Sequence, residues 1–192
     1  MRNRQADHDS RGLTFQGTML LNWETRTDDV ASDRPAEDEK NERLLRTLLF
    51  SQDLHHEHGD ESGDRMVADL ARVEAKLDLL LDMVSDLLRQ EQSPAVATPV
   101  ELWLNGASWT SGTDRLPELG GRLWLSLYID SRLAQPLRLP ARVTDVAGIA
   151  ESFRVTVAFE VLDEPVQDLL AKLIFRQHRR MIAQQKADKR SE

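Results

Sequence analysis

The sequence predicts an α+β fold: a small antiparallel barrel or sandwich, a helix at its C-terminal end, and a long heptad-patterned helix before it. Three observations carry this. From Val100 onward, short runs alternate apolar and polar residues between turn signals, as half-buried antiparallel strands require. After Asp163 the spacing becomes helical, with Val166, Leu169, Leu170, Leu173 and Ile174 on one face. Between Met66 and Leu88 the apolar residues step alternately by four and three, the period that keeps one stripe of a helix against a partner helix.

The chain of 192 residues has room for one domain with appendages or for two small domains. With 40% hydrophobic and 30% charged residues, part of it must lie outside any core. A net charge of −8 argues against general nucleic-acid binding, because phosphate contacts need a basic surface. The absence of cysteine removes disulfides, thiolate metal sites and cysteine nucleophiles. The first apolar cluster, Met19 to Leu21, is too short for a signal or membrane segment, and no long uncharged run follows. A cytoplasmic protein without membrane or cofactor is expected. No nucleophile motif such as GxSxG occurs and no serine, histidine and acid set has a recognisable spacing, so no enzyme is expected.

Residues 1–36 read as an extended and flexible N-terminal segment. Within it, Leu13 and Phe15 alternate, as do Met19, Leu21 and Trp23; alone such a segment buries no face, so it must dock on something. Thr25 to Lys40 is rich in Asp and Glu, with one Ser and one Pro, and reads as a solvated linker. A helix is predicted over 37–58, with Leu44, Leu45, Leu48 and Leu49 at helical spacing and Asp33 or Asp38 near its start. It ends in HHEHGDESGD, where Gly59 and Gly63 break it. His55, His56 and His58 with Glu57 and Asp60 form the most metal-like cluster. A polar, glycine-broken loop lacks the supporting contacts of a four-ligand site, so it reads as a solvated helix end and no metal is expected.

The heptad helix spans 64–92. Leu70, Leu77 and Val84 take position a, and Met66, Val73, Leu80 and Leu87 take position d; Val67, Leu81 and Leu88 widen the stripe at e, broken by Glu74. Asp69, Lys76, Asp78, Asp82 and Asp86 stay off the seam. A two-stranded coil uses a narrow stripe, whereas this one suits burial among three or four helices. The alternative is one amphipathic helix lying on a globular core. Pro94 removes a helical N–H and pushes Ser93 out of the helical region, which stops the element.

The strands follow. VELWLN places Val100, Leu102 and Leu104 on one face, and ASWTS is a candidate second strand. RLWLSLYI places Leu123, Leu125, Leu127 and Ile129 opposite Trp124, Ser126 and Tyr128. LRLPARVTDV alternates Leu137, Leu139, Ala141 and Val143 with polar residues, and FRVTVAFEVL alternates Phe153, Val155, Val157, Phe159 and Val161. Pro117, Gly120-Gly121, Pro136 and Gly148 mark turns. Pro140 belongs where no ladder donor is needed, an edge strand or a bulge. Asp163 caps the last helix and Pro165 fits its first turn. Lys172, Arg176, Arg179 and Arg180 make a basic stripe, which can receive an acidic partner or phosphate, or simply be a wet helix face favoured by the dipole. Trp103, Trp109, Trp124 and Tyr128 either form a protein-binding patch or cover the outer wall under the N-terminal extension, with Trp23 among them.

The strand alternation, the Gly-rich turn before a long strand and the C-terminal helix carrying FRQHRR together resemble a PilZ domain over 99–185, leaving 186–192 as a tail. That resemblance implies a six-stranded antiparallel barrel and, as the usual family ligand, cyclic di-GMP. LTFQGTMLLNW, NERLLRTLL and KLDLLLDMVSDLL resemble the N-terminal extension of a gamma-proteobacterial subgroup built to tetramerise through the heptad helix. The ligand motifs depart from the family. Its RxxxR clamp has no counterpart: Pro94 to Gly112 contains no arginine and Arg89 stands alone. Its [DN]xSxxG motif aligns with Asn105 to Thr110, where Asn105 matches but Ala107 replaces serine and Thr110 replaces glycine. Each missing charge-assisted bond is worth about 1.5–3 kcal/mol. The expectation is a homo-oligomer, a tetramer by resemblance, that meets an unidentified protein partner in cyclic di-GMP-linked regulation without binding the nucleotide. The alternative is a receptor for cyclic di-GMP or another nucleotide at a relocated site of Arg176, Arg179 and Arg180 with Asn105.

Overall fold

The computed structural model describes residues 12–26, 34–57, 77, 84, 95–112, 115–130, 133, 135–149 and 151–191, excepting the side chains of 51–57 and 185–191. Its strands are β1 (Thr14–Thr25), β2 (Val96–Trp103), β3 (Gly106–Ser111), β4 (Arg122–Tyr128), β5 (Leu137–Ile149) and β6 (Ser152–Phe159), with helices α1 (Arg34–Glu57) and α2 (Glu164–Ser191). The strands close into a barrel in the order β1-β2-β3-β6-β5-β4, every neighbour antiparallel.

Closure depends on β1. Thr14 to Leu21 pairs with β2, and Leu20 to Thr25 pairs with β4, so one strand of 12 residues bridges two partners. Met19 and Leu21 enter the core from it. The barrel is therefore not confined to 99–185: it recruits 14–25 from the stretch expected to be extended and flexible, and β2 begins at Val96. An open sheet would leave a row of unpaired N–H and C=O groups on each edge, and β1 removes both edges at once. The first helix begins at Arg34, three residues ahead of the expected start, and Asp38 lies within it.

The period-two reading of the faces holds within the ladders. Val100, Leu102, Leu123, Leu125, Leu127, Leu137, Leu139, Ala141, Val143, Val155 and Val157 are buried together inside. It fails past their ends. Leu104 sits in the β2–β3 turn, and Val161 is 85% exposed because the ladder stops at Phe159 and the chain turns toward α2. Trp109 points inward and is buried with this core, its neighbours across the ladder being Val100 and Val155.

Pro140 lies in a closed barrel without being at an edge. It pairs with Trp124 of β4, while the β6 ladder begins only at Ala141. Its carbonyl accepts from the Glu160 N–H, and the donor it lacks would face the side where β6 has already ended. Arg138, two residues earlier on the same side, is served by α1. Asn41, 1% exposed, donates from Nδ2 to the Arg138 carbonyl at 2.8 Å and accepts its N–H on Oδ1 at 3.0 Å. The amide thus stands in for one residue of a missing strand. At the other side of β5, Gly120 takes φ +79° so that its N–H reaches Val143, whose own N–H returns to Gly121.

The apolar faces of both helices, Leu44, Leu45, Leu48 and Leu49 from α1 and Val166, Leu170, Leu173 and Ile174 from α2, join the barrel interior in one buried cluster. Each such side chain contributes about 1.5–3 kcal/mol relative to exposure. Arg176 ties the helices by donating to the Leu49 carbonyl, and His178 Nδ1 meets the Thr14 carbonyl at 2.9 Å. Near their starts, Asp38 is buried close to Asp163. Desolvation first, then the Asp163 charge, raises the Asp38 pKa above the ordinary carboxylate value, with Arg34 opposing and Glu37 adding to the rise.

Most of the span expected to form the heptad helix, 64–92, lies outside the described residues. Leu77 and Val84 are described: both are helical, and they are 54% and 52% exposed. The side chains of His55 and His56 and the whole of His58 also fall outside. Among the described residues, no helix is long and apolar enough to cross a membrane.

Candidate functional site

The outer wall of β1, β2, β3 and β6 carries a groove of about 480 Å³, open to solvent, with Met181 of α2 along one side. Alternation places its polar residues. Val100 and Trp109 turn inward, so Glu101, Ser108 and Thr110 turn outward, joined by Gln16 and Thr18 from β1 and Arg154 from β6. Gln16 Nε2 donates to Glu101 Oε1 at 3.2 Å. Ser108 is only 4% exposed although its hydroxyl is on the outer wall. Near it, Gly106 lies under the Trp103 ring: a Cβ there would come 2.3 Å from the Val157 carbonyl oxygen and 2.9 Å from the indole. One carboxylate, one guanidinium and several hydroxyl and amide groups can hydrogen-bond a neutral or zwitterionic group. A single guanidinium makes a poor clamp for a doubly charged anion.

The residues singled out in the sequence scatter around this groove. Asn105 is exposed in the β2–β3 turn, where its carbonyl accepts from the Phe159 N–H. Ala107 is fully buried in the barrel core, so a serine there would put its hydroxyl among Leu102 and Val157; Ser108, one position on, holds the outward hydroxyl. Thr110 lines the groove. On α2, Arg176 is turned to α1, exposed Arg179 lies 5.8 Å over the Phe175 ring, and Arg180 is half-buried. None of the three lines the groove; Met181 does. The contributions of Gln16, Thr18 and Arg154 were not legible, because the first two depend on which strand β1 joins.

The outer-wall aromatics are covered by arginines. Trp124, 4% exposed, stacks beneath Arg138 at 4.9 Å and Arg26 at 5.5 Å, and Arg26 is held by Glu160 at 2.7 Å. Arg115 lies 4.4 Å over Trp23 while donating to Asn22 Oδ1 and the Trp23 carbonyl. Arg138 comes from β5, Arg115 from the β3–β4 connection and Arg26 from just after β1; of these cations only Arg26 is N-terminal, and Thr14 to Thr25 is a strand of the wall rather than a layer over it. Among the described residues, no three His, Asp or Glu side chains converge as metal ligands would.

A closed antiparallel barrel of six strands with a C-terminal helix packed against it defines the class: this is the PilZ architecture. The chain belongs to the atypical PilZ domain family, whose profile, described as "Atypical PilZ domain, cyclic di-GMP receptor", matches residues 45–187. Among solved structures it is similar to a protein of Xanthomonas campestris, with TM-score 0.68 and 26% identity over 89% of this chain and 91% of that one. That protein is described as a tetrameric PilZ domain self-assembled via an unusual helical bundle. A Bacillus subtilis inhibitor of motility (MotI/DgrA) matches with TM-score 0.37 and 14% identity over 43% of this chain and 42% of that one. No curated protein matches the chain.

Proposed function

We propose that this chain is a non-enzymatic PilZ adaptor that self-associates, as a tetramer, through its heptad helix and acts by protein contacts in cyclic di-GMP-linked regulation without holding the nucleotide. One observation carries the reading most. Leu77 and Val84, both at position a, are helical and about half exposed, so among the described residues none fully covers the stripe at those points. Similarity to a tetrameric relative over nearly the whole chain supports the same arrangement. Presenting several barrels on one bundle raises avidity for a multivalent partner without any new contact. Against nucleotide binding stand the absence of arginine between Pro94 and Gly112 and a groove with one guanidinium.

Cutting the chain near Ser93 is a poor test, since it removes β1 and opens the barrel. Substitution is cleaner. Sedimentation should give several subunits for the natural chain and one for a Leu77→Asp, Val84→Asp double variant with unchanged circular dichroism. A natural chain that sediments as one copy at micromolar concentration ends the self-association reading.

The family description favours a second reading, a receptor using Arg176, Arg179, Arg180 and Asn105. Calorimetric titration with cyclic di-GMP decides between them. The adaptor reading expects no heat at micromolar nucleotide, and tight binding lost in Arg179→Ala would establish the receptor.

A further inference from the structure

The outward face of α2 is an apolar strip in a basic frame. Phe175 is 47% exposed and Ile182 is 38% exposed, two turns apart on the side away from the core, with exposed Arg179 between them and exposed Lys172 one turn before Phe175. Leu13, 46% exposed, lies next to Thr14, whose carbonyl meets His178 on the adjoining face. The charge here runs against the rest of the molecule: from Lys172 to Lys186 there are five basic residues and no acidic one, in a chain of net charge −8. This strip invites an acidic helix with an apolar knob.

The heptad helix supplies that pattern on the side its seam does not use. With Leu77 at a, the heptad reading of the sequence assigns Asp78 to b, Leu79 to c, Asp82 to f and Asp86 to c, the positions a seam does not use. Leu79 is thus an apolar residue left over by the seam, framed by Asp78, Asp82 and Asp86. From Leu77 to Leu88 there are three acidic residues and no basic one. We infer that the Phe175–Ile182 face of α2 docks on the Leu79 back face of the heptad helix of a second copy of this chain. Lys172 and Arg179 meet the aspartates, and the apolar residues meet between them. The inference rests on the self-association proposed above and adds a second contact to it, joining each barrel to a neighbour's stem rather than leaving it to swing.

Because the natural chain has no cysteine, disulfide trapping reads this contact directly. Tagged Leu79→Cys and untagged Ile182→Cys chains are co-expressed and mildly oxidised. A mixed disulfide dimer is expected, several-fold above that from a Leu119→Cys control, whose site is 69% exposed in a remote turn. A yield no higher than the control overturns the inference. So does a cross-link within a single Leu79→Cys, Ile182→Cys chain with none between chains. Charge reversal gives the second measurement. Lys172→Glu with Arg179→Glu should weaken subunit association about tenfold at low salt, and adding Asp78→Lys with Asp82→Lys should restore it. If the natural chain is a single copy, the stem reading itself fails. If it is an oligomer indifferent to both reversals, only the α2 contact fails, and the strip belongs to another acidic partner.

Discussion

Leu21→Ala tests whether β1 is part of the barrel or an ornament on it. Leu21 is 5% exposed, its Cα pairs with Val96 on one side and Leu127 on the other, and its side chain lies in the single core cluster. Truncating a buried leucine removes its transfer free energy and leaves a space that the neighbours only partly fill, a cost of about 2–5 kcal/mol. Leu21 stands where β1 changes partners, held in register on both sides, so little collapse is available and about 3 kcal/mol is expected. A domain has only about 5–15 kcal/mol in total, so this is a large fraction. Urea unfolding followed by tryptophan fluorescence, at one fixed protein concentration because association adds to apparent stability, measures it. The midpoint should fall while the slope stays constant. Val161→Ala, at 85% exposure, serves as the control and should move stability by less than about 0.5 kcal/mol. A Leu21→Ala loss below about 1 kcal/mol, or a separate early transition, would refute the integral role of the strand.

Three further outcomes follow from the packing. Asn41→Ala strands both the N–H and the carbonyl of Arg138 on the open side of β5 and should cost about 2–4 kcal/mol, with faster hydrogen exchange at the Arg138 amide as the specific sign. Gly106→Ala drives a Cβ against the Val157 carbonyl and the Trp103 ring; at least about 2 kcal/mol should be lost, with an altered near-ultraviolet signal, and an unchanged spectrum and stability would contradict the geometry. Asp38→Asn concerns pH. The folded pKa of Asp38 is raised above its unfolded value, so ionisation penalises the folded state. The penalty is absent below the unfolded value of about 3.9, grows as pH rises through the interval up to the folded value, and is complete above it. The variant should therefore be more stable than the natural chain at pH 7, the gain vanishing near pH 3; a gain independent of pH would point elsewhere.

Alternation identified the inward faces of β2, β4, β5 and β6 because side-chain direction is a local property of extended backbone; it assigned none to β3, where Trp109, expected in a patch or on the outer wall, points inward. What it leaves open is where a ladder stops and who the neighbour is. Val161 continues the apolar rhythm of β6 yet lies outside, since Asp163 and Pro165 have already committed the chain to a helix. The segment from Leu13 to Trp23 was legible as something that must dock, but both of its partners are distant in sequence, β2 starting at Val96 and β4 at Arg122. Asn41 was not singled out in the sequence; its value comes from the gap beside Arg138, which exists only once β6 has ended. The groove inherits the same blindness, because Gln16 and Thr18 reach it only through closure.

The order of the strands gives the molecule a mechanical property. β1 ends at Thr25 and β2 starts at Val96, and the two are ladder neighbours, so everything from 26 to 95 is in effect the loop of one hairpin. Both legs of that loop are sewn into the same ring. A force applied to the chain between them must enter the ring through two adjacent strands, where pulling works against a row of hydrogen bonds.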